Sequence, residues 1–141
     1  LRKQQEAVQS TESAEKQKIW LSAVQALFKE IRTWLADVEK QHLLKVESVQ
    51  IPITEETIGT YMAPALTLTI PSTGKKAQVV PIGRTIIGAD GRVDLKSSRS
   101  NFVLLYLADK GTWVHGSGPY PDKFPILNED MFSDLLTRAL E

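Results

Sequence analysis

The sequence predicts an α+β domain: a long amphipathic helix packed on a mostly antiparallel sheet of about six strands, followed by a short C-terminal helix. Three observations carry this. Residues 1–47 hold no Pro and no Gly, and their apolar positions recur every three, four and seven residues. From Val46 onward the apolar period falls to two. Phe132, Leu135, Leu136, Ala139 and Leu140 then restore helical spacing at the end of the chain.

The long helix presents Trp20, Leu21, Val24, Leu27, Phe28, Ile31, Trp34, Leu35 and Val38 on one side. Lys29, Glu30, Arg32, Asp37, Glu39 and Lys40 form a solvated face. With Val24, Ile31 and Val38 at a positions of a heptad, Leu21, Phe28 and Leu35 fall at e. The stripe is therefore wider than an a/d coiled-coil seam, and Trp20, Leu27, Ile31 and Trp34 are expected to be buried against a sheet. A globule of this length has a radius of gyration near 14 Å, roughly. The segment from Ile19 to Val38, about 30 Å of helix, fits across such a body. The polar stretch before it overhangs. Residues 1–12 read as a linker or frayed helix with Ser10, Thr11 and Ser13 as candidate N-caps, and residues 13–141 as one domain. Within it, 13–45 is the helix, 46–115 the sheet and 128–140 the terminal helix.

Val49, Ile51 and Ile53 alternate with Ser48, Gln50 and Pro52, an edge strand because Pro52 has no N–H for a ladder. Leu66, Leu68 and Ile70 form the next strand, Pro71-Ser72-Thr73-Gly74 a turn, and Ala77 to Ile82 the return. Asp90-Gly91 reads as a two-residue hairpin turn with positive φ at Gly91, pairing Ile86 with Leu95 and Gly88 with Val93. On that pairing Asp94 points outward, opposite Ile87. Phe102 to Ala108 is apolar at odd and even positions, so both of its faces are expected to be covered. Asp109-Lys110-Gly111 turns it into Thr112 to His115. Asn128 or Asp130 caps the last helix.

With only two helices available, one on each face, part of the sheet is left bare. Either the sheet curls at Pro81, Gly83 or Gly88 and fills its own interior, or a homodimer or other protein partner covers the second face of the 102–108 strand.

Several chemistries lack their residues. There is no Cys, hence no disulfide, thiolate nucleophile or thiolate metal site. His42 and His115 have no ligand at motif spacing. Gly83, Gly88 and Gly91 fit no phosphate loop. Glu55-Glu56 and Glu129-Asp130 are neighbours in sequence rather than groups facing across a cleft, and the second pair suits a helix N-terminus. His115 and Ser117 with Asp109 or Asp122 give a hydrolase alternative, although Ser117 lacks the strand-to-helix elbow that exposes a nucleophile. No catalytic, cofactor-binding or metal-binding residue is assigned.

Seventeen basic residues balance seventeen acidic ones. The formal charge of zero argues against a general nucleic-acid binder. One local excess survives: residues 75–99 carry Lys75, Lys76, Arg84, Arg92, Lys96 and Arg99 against two Asp. These six, with Leu104 and Tyr106 on the two-faced strand, form the expected interaction surface. The leading expectation is a non-enzymatic protein–protein interaction or assembly module, cytoplasmic, bacterial and part of a larger chain or oligomer. The alternatives are a nucleic-acid adaptor using the basic hairpin and the His115/Ser117 hydrolase. No apolar run reaches the ~20 residues of a membrane-spanning helix.

Overall fold

The computed structural model describes residues 2–56, 59–84, 89–116 and 120–141, with side chains from Ala14 onward in the first helix. The elements, in order, are α1 (Arg2–Trp34), α2 (Ala36–Lys40), β1 (Lys45–Glu55), β2 (Gly59–Thr69), β3 (Lys76–Gly83), β4 (Gly91–Lys96), β5 (Asn101–Leu107), β6 (Thr112–His115) and α3 (Glu129–Ala139), with a 3-10 turn at Pro121–Lys123. The fold is α+β, and the six strands form one open antiparallel sheet in sequence order.

The wide stripe of α1 does what its width predicts. Trp20, Val24, Leu27, Phe28, Ile31 and Leu35 are buried in one cluster with Leu66, Leu68, Val79, Val93, Leu95 and Leu104 of the sheet. Trp34 is the exception: it is half-buried, its ring 5.8 Å from that of Phe132 on α3. The helix begins at Arg2 and passes through Ser10, Thr11 and Ser13, which are therefore interior positions rather than caps. It breaks at Leu35 and resumes as α2. The end of α2 is a Schellman motif. Leu43 N–H donates to Val38 O and His42 N–H to Glu39 O, which places His42 in the left-handed region at φ 61°. The backbone at His42, rather than its imidazole, closes the helix.

Both helices lie on the same face of the sheet. Phe132, Leu135, Leu136 and Ala139 of α3 join the α1 cluster, and Asn128 caps α3 by accepting from Met131 N–H at 2.8 Å. The expectation of one helix per face is thus corrected. The opposite face is covered at its β5–β6 end by the chain's own return loop, where Leu105, Leu107 and Val114 pack against Phe124. Gly116 makes this possible, since a Cβ there would stand 2.9 Å from the Phe124 ring. Leu104 is fully buried within one chain on the α1 side, while Phe102, Val103 and Tyr106 of β5 are half-buried.

The β1–β2 ribbon twists strongly. Its pairing runs without a slip from Lys45↔Thr69 to Glu55↔Gly59. Yet the core receives even positions at one end (Val46, Leu66, Leu68) and odd positions at the other (Ile53, Tyr61, Ala63). Long two-stranded ribbons twist more than full sheets, and here the twist turns the second face inward. Of the three alternating residues Val49, Ile51 and Ile53, only Ile53 is buried.

The Asp90-Gly91 hairpin is a second correction. Gly91 is the first residue of β4, it is absent from the positive-φ glycines, and it pairs with Tyr106 of β5. Val93 and Leu95 pair with Pro81 and Val79 on one side and with Leu104 and Phe102 on the other. Asp90 instead ties the strand start to β5, its N–H donating to Tyr106 O and its carboxylate accepting from Ala108 N–H, both at 2.8 Å. A strand flanked on both sides needs an extended residue at position 91. Ile86, Ile87 and Gly88 lie outside the described residues. A register shift lies between Pro81 and Gly83, two of the positions named for a bend, but the sheet does not close on itself.

Candidate interaction edge and groove

The two edges of the sheet differ. The outer edge of β6 is occupied: His115 N–H donates to Pro125 O, and Leu127 N–H to Trp113 O, so residues 125–127 act as a short covering strand. The outer edge of β1 carries no strand among the described residues.

Which β1 groups face outward follows from one hydrogen bond. Val46 N–H donates to the Glu39 carboxylate at 3.1 Å instead of to β2. In an antiparallel ladder the N–H and C=O of one residue point the same way and the direction alternates. The even residues Ser48, Gln50 and Pro52 therefore also turn their main-chain groups outward. Pro52 has no N–H to offer and Val46 is already satisfied, so the edge is blunted at both ends. Ser48 and Gln50 remain open between them.

Beside this window lies a groove of about 550 Å³ between the flank of α1 and the β1–β2 ribbon. Its floor is Phe28, Pro64 and Leu66, and Ser48 lines it from the strand. Lys29 and Arg32 stand in its wall, and no carboxylate side chain lines it. Neither cation has a salt-bridge partner among the described residues, where the ion pairs are Lys45–Glu47, Arg92–Asp94 and Arg138–Asp134. The opposite flank of α1 differs: its depression of about 270 Å³ carries Glu30 beside Tyr106, Trp113 and Leu127.

The surface expected from sequence does not form one patch. Lys75, Lys76, Lys96 and Arg99 cluster at the sheet end that holds the β2–β3 and β4–β5 turns. Lys75 Nζ also reaches the Glu141 carbonyl at 3.4 Å. Arg84 and Arg92 lie at the far end of β3, about 23 Å away along an eight-residue strand. Arg92 is already paired with Asp94 through bonds of 2.7 and 2.9 Å, and Asn101 adds a third donor at 3.2 Å. Asp94 faces away from Val93 and Leu95 as expected, but it is buried in this network rather than solvated. Leu104 offers no surface and is withdrawn from the set, whereas Tyr106 is half-buried with its ring 5.0 Å from Trp113.

His115 sits with Phe102 against its ring at 6.1 Å. Burial, and then the charge of Arg138, hold its imidazole below the usual histidine range. No carboxylate bonds to it among the described residues, and Ser117 lies outside them. Among the described residues no cluster of three His, Asp or Glu is placed to hold a metal.

The remaining buried polar cluster is structural in its bonding. Glu55 accepts from Tyr61 Oη at 2.5 Å and from Arg84 N–H at 2.8 Å, beneath Gly83. Trp20 Nε1 and Arg84 Nε are buried close by, without a partner among the described residues.

Sequence reasoning placed Pro52 on an edge but missed the groove, because Lys29 and Arg32 read as ordinary solvated positions. Only the packing of α1 beside β1 gives them a shared wall. No family model, curated protein or solved structure matches this chain. No helix among the described residues is long and apolar enough to cross a membrane.

Proposed function

We propose that the chain is a non-enzymatic protein-interaction module that receives an extended segment of a partner as a seventh strand beside β1. The observation that carries this reading is the open window at Ser48 and Gln50, set between the Glu39 block and Pro52 and opening onto the groove. Strand addition draws affinity from main-chain hydrogen bonds and specificity from alternate side chains entering a pocket, and both halves are present here. A second copy of the chain is the poorer occupant. A two-fold pairing of β1 with itself puts both helices on one side of the joined sheet and turns two Lys29/Arg32 pairs toward each other.

The test is a selection of displayed random peptides, each of about ten residues and thus long enough to form a strand, against the whole chain. Selected peptides are expected to shift the NMR amide signals of Ser48 and Gln50. They are expected to lose binding to Ser48→Pro and Gln50→Pro, which remove an outward N–H and leave the β1–β2 bonds intact. Should either variant fail to fold, the signal map on the unaltered chain decides. Selected peptides that shift other residues, or a selection that yields none, overturn the reading.

A further inference from the structure

Resting on that reading, we infer that the receiving edge selects a segment in which acidic and apolar residues alternate, the acids facing α1. An added strand sends successive side chains to opposite faces of the sheet. On the helix side they stand over Phe28 and Pro64 and within the wall formed by Lys29 and Arg32. Among the described residues that wall carries two cations, no lining carboxylate, and no internal ion pair to be broken before binding. A Glu there gains charge-assisted bonds, and a Lys meets like charge.

The other side of the ribbon asks for the opposite chemistry. Val49 is exposed and, by alternation from Ser48, lies on the face away from α1, while Ile51 is half-exposed where the ribbon turns its odd positions inward. A neighbouring strand brings its side chains to about 5 Å from theirs, where β-branched and aromatic partners are favoured. Lys45 and Glu47, farther along the same strand, are paired with each other at 3.7 Å. One face of the incoming strand is therefore read by charge and the other by burial. This alternation also sets the register, because a slip of one residue would put acids on Val49 and apolar groups on Lys29 and Arg32.

The experiment uses three synthetic peptides of equal length on the full chain: alternating Val-Glu, Val-Gln and Val-Lys. Binding is followed at neutral pH by the amide signals of Ser48 and Gln50. The Glu peptide is expected to bind about tenfold tighter than the Lys peptide, with Gln between them, and the gap is expected to narrow at high salt. In the double variant Lys29→Glu/Arg32→Glu, both exposed substitutions, the order is expected to invert. Equal binding of all three peptides at Ser48 and Gln50 overturns the acidic selectivity and leaves the receiving edge standing. Failure of all three to bind overturns both.

Discussion

The indole of Trp20 occupies the space in which a side chain at Gly91 would begin: a Cβ built on Gly91 stands 2.1 Å from Trp20 Cζ3. Gly91 lies in line across the sheet with Tyr106 and Trp113, and the Trp113 ring is 6.0 Å from Trp20. α1 thus docks through an aromatic group seated over a gap in the sheet. Gly91→Ala is expected to destabilise the fold by about 3 kcal/mol, the upper range for overpacking a filled core. Trp20→Leu in the same chain should return part of that loss, since the two changes share one contact. Denaturant unfolding of the two single variants and the double variant measures the coupling. Strict additivity would show that the indole does not set the requirement for glycine.

Tyr61 ties stability to alkaline pH. Burial first, and then the Glu55 carboxylate that accepts its hydrogen bond, raise its phenol well above the ordinary value of 10.0. The unfolded chain therefore releases this proton at a lower pH than the folded one. The stabilisation is complete below pH 10 and drains away as pH climbs past it. Alkaline titration followed by tyrosinate absorbance is expected to show one phenol ionising only as the chain unfolds, and Tyr61→Phe should abolish that late phase. The same variant removes a donor from a buried carboxylate, at a cost of about 1–2 kcal/mol at neutral pH.

His42 invites the opposite experiment. Its φ of 61° is one that side chains resist, and its own imidazole is exposed. Glycine fits this helix-ending position without that penalty. His42→Gly is expected to stabilise the chain by about 1 kcal/mol, read as a higher denaturation midpoint with an unchanged slope. A loss of stability would mean that the histidine side chain contributes contacts of its own.

Much of the architecture was legible from Trp20 to Leu35 and from Phe132 to Leu140, where apolar spacing reports directly which side of a helix is buried. Pro52 likewise announced an edge through its missing N–H. Asp90-Gly91 misled because a turn-forming pair has the same composition as a strand start that needs a side chain absent, and Trp20 stands too far away in sequence to signal that need. Asp94 was read correctly as turned from the core but not as buried, since its shielding by Arg92 and Asn101 depends on β5 lying alongside. The recognition window was half legible. Gln50 and Ser48 lay in a predicted edge strand, while the cations that face them come from another element.

Strand order that copies sequence order has a bearing on how this chain is born. Each strand finds its neighbour in the segment synthesised just before it, so the sheet can be laid down in turn at the ~5–20 residues per second of translation. The roof over it is split between the two sides of the sheet in sequence: α1 precedes the strands and α3 follows them, so Phe132 meets Trp34 only after every strand has been made. Until then the apolar underside of the nascent sheet lacks the cover of Phe132, Leu135, Leu136 and Ala139, and a ribosome stalled before α3 would hold out an adhesive face. Docking of α3 therefore seals this face only after every strand of the sheet has been made.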